Sequence, residues 1–220
     1  AYKTSWGLKV PGSEHGWILG RFTDLVEKHI DALASFKALN VGKPFPATRS
    51  FDLGNSVDFI RYYAGWAGKV HGKTIQTTEK KMAYTQHEPW EVVAGIIPWN
   101  TSLMMLMMKL APALAIGNTI VIKTLELTPF TALFVADLLN EAGIPPGAVN
   151  IINKYSIGAA IASYPNINKI SFTESTITGQ KILKAAAELN MKEVMLELEE
   201  KSPTIIFNNA DLDQAVKWAV

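Results

Sequence analysis

The stretch VVAGIIPWNTSLMMLMMKLAPALAIGNTIVI, residues 92–122, holds an apolar run, a turn, an apolar segment of helix length and a second apolar run. A membrane helix needs about 20 uninterrupted apolar residues, whereas Pro98, Asn100, Lys109 and Pro112 interrupt this stretch. The pattern therefore predicts a buried strand, a turn, a buried helix and a second strand. Such a unit is the repeating element of a parallel sheet.

The same order of strand and helix continues along the chain. Short apolar strands that alternate with helices predict an α/β fold, with helices on both faces of a mostly parallel sheet. The predicted strands are VVAGIIP (92–98), NTIVIKT (118–124), VNII (149–152), KISF (169–172), EVMLEL (193–198) and TIIF (204–207). The predicted helices run from Ser102 to Ala115, Thr131 to Ala142, Ile157 to Tyr164 and Thr178 to Leu189.

The N-terminal part carries a helical rather than an alternating pattern. Apolar residues recur at the helical interval within Gly16 to Leu39 and again from Leu53 to Val70, which predicts two helices. The segment HGKTIQTTEKKMAYTQHEP that follows alternates and contains Thr and Tyr, so it predicts a hairpin. We therefore expect one domain over residues 1–220, with a helical part (1–75) and a strand–helix repeat part (90–220).

Composition excludes several classes of function. The 21 basic and 20 acidic residues are well mixed and give a formal net charge of +1, so we expect no nucleic-acid or membrane partner. The chain contains no cysteine, which rules out disulfides, thiolate metal sites and a thiol nucleophile within these residues. The N-terminus has no apolar segment after a basic start, so we expect a cytoplasmic protein.

Ligands of parallel sheets bind where the strands end, at their carboxyl edge. The end of the strand EVMLEL is the most acidic, with Glu197, Glu199 and Glu200 just before the apolar run TIIF. The strand ends that could form a site are IIPWN (96–100), VIKTLE (121–126), NIINKYS (150–156), SFTES (171–175) and LELEE (196–200).

Five motifs at and between these points, in their order and spacing, resemble the aldehyde dehydrogenase superfamily. They are PWN (98–100), VIKTLELTP (121–129), GIPPGAVNI (143–151), SFTEST (171–176) and LELEEKSP (196–203), with support from RYYAGWAGKVHGKTI (61–75). The resemblance covers essentially the whole chain. It implies the dinucleotide-binding half of the family, a doubly wound, Rossmann-type α/β domain whose family cofactor is NAD.

The resemblance implies two catalytic positions. Asn100 matches the family's amide donor, which meets the negative charge that develops on a carbonyl oxygen. Glu197 matches the family's general base, a carboxylate that accepts a proton from water or a thiol. From its residue type alone, Asn100 could instead cap the helix that follows it.

The resemblance also implies a set of cofactor-binding positions. Lys123 and Glu126 match the residues that hold the adenosine ribose, and Ser175 matches a small residue beside the pyrophosphate. Ile97 and Trp99 match further family positions at the cofactor site. Lys123 could alternatively be a solvated charge at the end of a strand.

Three glutamates depart from the family pattern. Family members usually read Phe-Thr-Gly-Ser-Thr where this chain has Glu174, and Leu-Glu-Leu-Gly-Gly-Lys where it has Glu199 and Glu200. Glycine lets the backbone approach a dinucleotide closely, whereas a carboxylate fills that volume and repels the pyrophosphate. The turn NKYSIG, residues 153–158, is also shorter than the glycine-bearing turn of the family. We therefore expect no useful affinity for NAD or NADP, and no other cofactor.

The resemblance also stops before the family's catalytic cysteine and second domain. Together with the three glutamates, this predicts a truncated protein that does not oxidise aldehydes with NAD. The leading hypothesis is a non-redox catalyst of the isomerase, cyclase or dehydratase type, acting on a small molecule in the strand-end cleft. Asn100 then donates a hydrogen bond, and Glu174, Glu197, Glu199 and Glu200 act as acid and base, since crowded carboxylates raise one another's pKa.

Other interpretations stay open. The chain could be a non-catalytic pseudoenzyme or binding paralogue, or a fragment of an NAD-dependent aldehyde dehydrogenase, and Glu199 and Glu200 could be solvated loop residues. The carboxylates could also bind a divalent cation through their oxygens, although the sequence assigns no metal site. Because the family's second domain packs on this half, its loss exposes an apolar surface, and we expect a homo-oligomer.

Overall fold

The computed structural model describes residues 1–199 and 201–219. Its helices are α1 (Gly12–Lys28), α2 (Ile30–Val41), α3 (Phe45–Ala47), α4 (Gly54–Trp66), α5 (Ser102–Ala115), α6 (Phe130–Ala142), α7 (Ile157–Ala162), α8 (Thr176–Leu189) and α9 (Leu212–Ala219). Its strands are β1 (Thr74–Ile75), β2 (Ala83–Tyr84), β3 (Val92–Ile96), β4 (Thr119–Lys123), β5 (Val149–Ile152), β6 (Lys169–Thr173) and β7 (Glu193–Glu197). A 3-10 turn lies at Gly7–Lys9 and a π-helical turn at Thr48–Leu53.

Strands β3 to β7 form one parallel sheet with the order β5-β4-β3-β6-β7. Its register places Ile96 of β3 beside Lys123 of β4 and Phe172 of β6, so these strands end at a common level. The chain runs outward from β3 to β5 and then crosses back to β6. The strand order therefore reverses between the ends of β3 and β6, which is the usual position of a ligand in such sheets.

Two apolar cores lie on opposite faces of this sheet. On one face, Val93, Ile120 and Ile122 pack against α1, α2, α4, α5 and α6. On the other, Ile170 and Phe172 pack against α7 and α8. Alternate residues of a strand point to opposite faces, so a strand covered on both sides needs a continuous apolar run. The predicted α/β fold, with helices on both faces of a parallel sheet, is confirmed.

The N-terminal helices differ from the prediction in their limits. The single helix predicted within Gly16 to Leu39 is two helices, because His29 leaves the helical conformation (φ −104°, ψ 17°) between α1 and α2. The bend lets α1 pack on α4 and α6 while α2 packs on the π-helical turn and α6. The second helix begins at Gly54 and ends at Trp66, before the predicted limit of Val70. The hairpin is confirmed, since β1 and β2 pair antiparallel.

The strand predicted for TIIF does not form. Residues 204–207 follow Ser202, whose φ is 27°, and lie outside the sheet. Ile205 and Phe207 are 76% and 72% exposed. An apolar run becomes a strand only where a neighbouring strand pairs with its backbone groups, and Pro203 removes one of the donors. The prediction was therefore wrong at this point.

The remaining predicted helices form close to their expected limits, as α5, α6, α7 and α8. The buried helix of the opening stretch begins at Ser102 and ends at Ala115, as the sequence predicts. Within the described part of the chain, no helix combines the length and the apolar character needed to cross a membrane.

Candidate active site

A cleft opens at the carboxyl ends of β3, β6 and β7, where the strand order reverses. Its volume is about 620 Å³, which suits a small molecule or part of a dinucleotide. The turn after β3, one face of α5, the end of β6 and the end of β7 line it. Segments far apart in the sequence meet here because parallel strands all end at the same edge of a sheet.

Asn100 lines this cleft from the turn between β3 and α5. Its side-chain Oδ1 accepts a hydrogen bond from the Thr101 N–H at 2.9 Å. Its backbone carbonyl accepts one from the Lys37 ammonium, also at 2.9 Å. Among the described residues, none accepts a hydrogen bond from its Nδ2. Asn100 is not the cap of α5, because the N-cap residue is Thr101 and no side chain in the described part of the chain caps this helix. The role of Asn100 as an amide donor stays a prediction, with Nδ2 available to a ligand among the described residues.

Lys109 is a cleft residue that the sequence did not predict to be functional. It projects from α5, and its Nζ donates hydrogen bonds to Ser171 Oγ at 2.9 Å and Thr173 Oγ1 at 2.8 Å on β6. Burial lowers the pKa of Lys109 to about 8, and the negative charge of Glu197 offsets part of this shift. A lysine with such a pKa can give or take a proton near neutral pH. The feature of the sequence that could have identified Lys109 is its position as a lone charge in the apolar segment MMLMMKLAPALA.

Glu174, Glu197 and Glu199 all line the cleft, as the acid–base hypothesis requires. The Glu174 N–H donates to the Glu197 carbonyl at 3.2 Å, which joins the end of β6 to the end of β7. The three side chains are exposed, and none pairs with a basic side chain of the described residues. Glu200, the fourth predicted carboxylate, lies outside the described residues.

Metal binding by these carboxylates has no geometric support in the described part of the chain. Within residues 1–199 and 201–219, no three His, Cys, Asp or Glu side chains are grouped closely enough to hold a metal ion.

Lys123 and Glu126 form a second polar site where β4 ends. Lys123 is only 7% exposed, so the interpretation of this lysine as a solvated charge was wrong. Its Nζ lies 2.9 Å from Glu126 Oε1. Burial alone would raise the pKa of Glu126, but the Lys123 ammonium and a backbone N–H outweigh it, and the pKa is lowered. The contact is a charge pair rather than an aligned hydrogen bond, because Oε1 remains without such a bond among the described residues.

The other three predicted cofactor positions differ in accessibility. Ile97 is buried in the core, and its N–H donates to the Lys123 carbonyl at 3.1 Å, so its side chain does not line the cleft. Trp99 is 51% exposed and does line it. Ser175 lines the cleft from the N-cap position of α8, where its Oγ donates to Thr178 Oγ1 at 3.0 Å.

Comparison with known sequences shows extended similarity. A sequence model of the aldehyde dehydrogenase family matches residues 1–220. The chain is 49% identical over 220 residues to an aldehyde dehydrogenase of Agaricus bisporus, which covers 99% of this chain and 44% of that protein. It is also 49% identical over 213 residues to retinal dehydrogenase 2 of Gallus gallus, which covers 96% of this chain and 41% of that protein.

Solved structures show the same similarity. The NAD+ complex of aldehyde dehydrogenase from Bacillus cereus superimposes with a TM-score of 0.96 at 41% identity, over 99% of this chain and 44% of that one. Betaine aldehyde dehydrogenase from Staphylococcus aureus, in complex with NAD+, gives a TM-score of 0.95 at 32% identity, again over 99% and 44%. The chain thus spans less than half the length of these relatives. Since the family match covers all of its residues, the chain belongs to the aldehyde dehydrogenase family.

Proposed function

We propose that this chain forms the dinucleotide-binding and proton-handling part of an aldehyde dehydrogenase active site. The observation that carries this proposal is that Asn100, Lys109 and Glu197 line one cleft, at the ligand position of the sheet. An amide donor, a lysine with a lowered pKa and a carboxylate are groups suited to chemistry at a carbonyl. The chain contains no cysteine, so in this proposal the attacking nucleophile is water or belongs to residues beyond these 220.

Each of the three residues has a separate role. Asn100 Nδ2 donates a hydrogen bond to the aldehyde oxygen and stabilises the negative charge that develops there as the nucleophile attacks. Loss of one such donor typically lowers the rate by about 100-fold to 1,000-fold. Glu197 accepts a proton from the attacking group. Lys109 lies close enough to respond to the charge of Glu197, and with its pKa near 8 it exchanges protons with that carboxylate or with water.

The residues at the end of β4 fit the ribose of a dinucleotide. Glu126 Oε1 and Thr128 Oγ1 are buried and lack hydrogen-bond partners among the described residues. In Rossmann-type sheets, a carboxylate at the end of the second strand accepts hydrogen bonds from ribose hydroxyls, and β4 is the second strand of this sheet. Lys123 keeps the Glu126 carboxylate in place. When bound, the nicotinamide ring supplies hydride transfer.

The rim of the cleft fits a pyrophosphate less well. Glu174 and Glu199 add two negative charges to it. In a solvated setting, one unit charge about 4 Å from another contributes about 1 kcal/mol, which corresponds to about fivefold in affinity. Weakened dinucleotide binding is therefore part of the proposal.

The same two carboxylates favour a second candidate, a catalyst that uses no redox cofactor. Glu174, Glu197 and Glu199 line one cleft, so an acid and a base are available to a single small molecule. One carboxylate removes a proton from the substrate and another returns a proton elsewhere, which is the requirement of an isomerisation, a cyclisation or a dehydration.

Calorimetric titration with NAD+ separates the two candidates. The main proposal expects weak binding by the wild type and about 25-fold tighter binding by the double variant Glu174→Gln/Glu199→Gln, from two repulsions of about 1 kcal/mol each. Glu126→Gln should weaken binding because it removes the ribose acceptor charge. Glu79→Gln is the control, since Glu79 lies exposed between β1 and β2.

Two outcomes contradict parts of this scheme. If neither the wild type nor the double variant binds NAD+, the aldehyde dehydrogenase role fails and the non-redox candidate is favoured. If the wild type already binds with micromolar affinity, about −8 kcal/mol, and the double variant binds no more tightly, the carboxylates do not oppose the cofactor.

A further inference from the structure

Lys37 is a fully buried lysine without a direct role in the proposed chemistry. It lies in α2, and its side chain is 0% exposed. Its Nζ donates hydrogen bonds to the Asn100 carbonyl and to Ser102 Oγ, both at 2.9 Å. These two residues flank Thr101, the N-cap residue of α5. One ammonium therefore holds both sides of the turn that carries the proposed carbonyl donor.

The charge of Lys37 is compensated by a buried carboxylate. Asp52, in the π-helical turn, places its Oδ2 4.0 Å from Lys37 Nζ and 3.2 Å from Lys43 Nζ. Burial lowers the pKa of Lys37 to about 8; Asp52 opposes this shift, and the positive charge of Lys43 adds to it. Lys37 therefore loses its positive charge as the pH rises through about 8.

Core packing alone does not require a lysine here. Position 37 is buried on the same face of α2 as Leu33 and Ala34, where an apolar side chain would avoid the desolvation of a charge. The ammonium adds two directional hydrogen bonds to a turn that lines the cleft. Hydrogen bonds from an ionised donor are shorter and stronger than those between neutral groups.

We propose that Lys37 is a positioning residue for Asn100, which it keeps directed into the cleft by holding the Asn100 carbonyl and Ser102 from the side of α2. On the other side, the Thr101 N–H fixes the Asn100 Oδ1. Without Lys37, the hydrogen bonds that remain on Asn100 among the described residues come from its neighbour Thr101. The use of the amide on a carbonyl rests on the proposed function, whereas the position of the amide does not.

NMR spectroscopy of the full chain tests this inference without a turnover assay. The Thr101 nitrogen is bonded to the Asn100 carbonyl carbon, so its chemical shift senses that carbonyl, and the Asn100 NH₂ signal senses the amide. In the wild type, the Thr101 nitrogen shift should follow pH with a midpoint of about 8, where Lys37 titrates. In Lys37→Met, the titration should be lost and the Asn100 NH₂ group should gain mobility on the picosecond to nanosecond timescale.

Lys43→Met is the matched control, because it removes a lysine from Asp52 and leaves both hydrogen bonds of Lys37 in place. The Asn100 NH₂ mobility should not change, while the Thr101 midpoint should move to higher pH, since Lys43 lowers the pKa of Lys37. Lys109 has a similar pKa but is present in all the variants, so it does not account for differences among them.

The outcome can be read even if Lys37→Met does not fold. Ser102→Ala removes one partner of the ammonium and should raise the Asn100 NH₂ mobility in part. The inference is overturned if the wild-type Thr101 signal shows no transition near pH 8, or if folded Lys37→Met leaves the Asn100 NH₂ signal unchanged. These signals do not depend on NAD+ binding, so failure of this inference and failure of the proposed function are distinguishable.

Discussion

Replacing Lys109 with methionine tests the electrostatics of the cleft. Methionine keeps the apolar stem and removes the ammonium that binds Ser171 and Thr173. In the folded chain the pKa of Lys109 is lowered to about 8 from an ordinary 10.5. Between these two values the folded state has released the proton and the unfolded state still holds it. Because the unfolded state then binds more protons, the free energy of unfolding rises as the pH increases through this window.

The size of the effect follows from the width of this window. A fully buried group contributes about 1.4 kcal/mol for each pH unit, so the upper limit for Lys109 is about 3 kcal/mol. The side chain is half-buried and faces an open cleft, where solvent screens the charge, so we expect about 1 to 2 kcal/mol. The free energy of unfolding of the wild type, minus that of Lys109→Met, should increase by this amount from about pH 8 to about pH 10.5.

Urea unfolding, followed by tryptophan fluorescence across this pH range, measures the difference. Lys37 also has a lowered pKa, but both proteins contain it and its contribution cancels. Lys181→Met, on the exposed face of α8, is the control and should differ from the wild type by a constant amount. Glu197→Gln should start the rise at lower pH, since Glu197 raises the pKa of Lys109. Parallel profiles for the wild type and Lys109→Met would refute the reasoning.

Two further predictions concern packing and assembly. A Cβ at Gly12 would clash with the Ala67 carbonyl oxygen, so Gly12→Ala should destabilise the α1–α4 contact by about 1 to 3 kcal/mol. Gly20→Ala, with nothing within 4 Å of the new Cβ, should be neutral or slightly stabilising, and equal melting temperatures for the two variants would contradict this. We also propose self-association through exposed apolar residues such as Ile205 and Trp218. Sedimentation should show a dimer or larger species, and a monomer at high concentration would count against it.

The strand–helix repeat is predictable because its strands are buried on both faces. Runs such as VVAGI and TIVIK have no polar alternation, and the turns between them break the pattern cleanly. The bend at His29 is not predictable in the same way, since the apolar periodicity continues through it, and what distinguishes α2 is its packing on the π-helical turn. TIIF fails for a related reason, because an apolar run does not specify the strand that would pair with it.

The site is predictable where it depends on strand ends. Asn100 and Glu197 follow β3 and complete β7, and parallel strands bring their carboxyl ends together whatever the sequence distance. The two lysines are different, because their partners lie in segments that sequence pattern does not connect to them. Lys109 meets Ser171 and Thr173 on β6, and Lys37 meets the carbonyl of Asn100. A lysine at a core position of a helix is the only sign of either contact.

The charged residues around the cleft form two groups, lysines whose side chains make defined contacts and glutamates whose side chains are exposed. Lys37 and Lys123 are buried, and Lys109 is half-buried. Lys37 and Lys109 donate hydrogen bonds to residues of other elements, and Lys123 forms a charge pair with Glu126 at the end of its own strand. Glu174 and Glu199 are exposed, and the contact that joins their strand ends runs from backbone to backbone, from the Glu174 N–H to the Glu197 carbonyl.

A backbone contact of this kind does not require a particular side chain at position 174. Packing and hydrogen bonding therefore constrain the lysines, whereas the fold leaves the carboxylates free to vary. The carboxylates act on the contents of the cleft, because Glu174 and Glu199 line it together with Lys109 and oppose an anionic ligand there. The acidic residues at the ends of β6 and β7 therefore contribute to the charge of the cleft rather than to the packing of the fold.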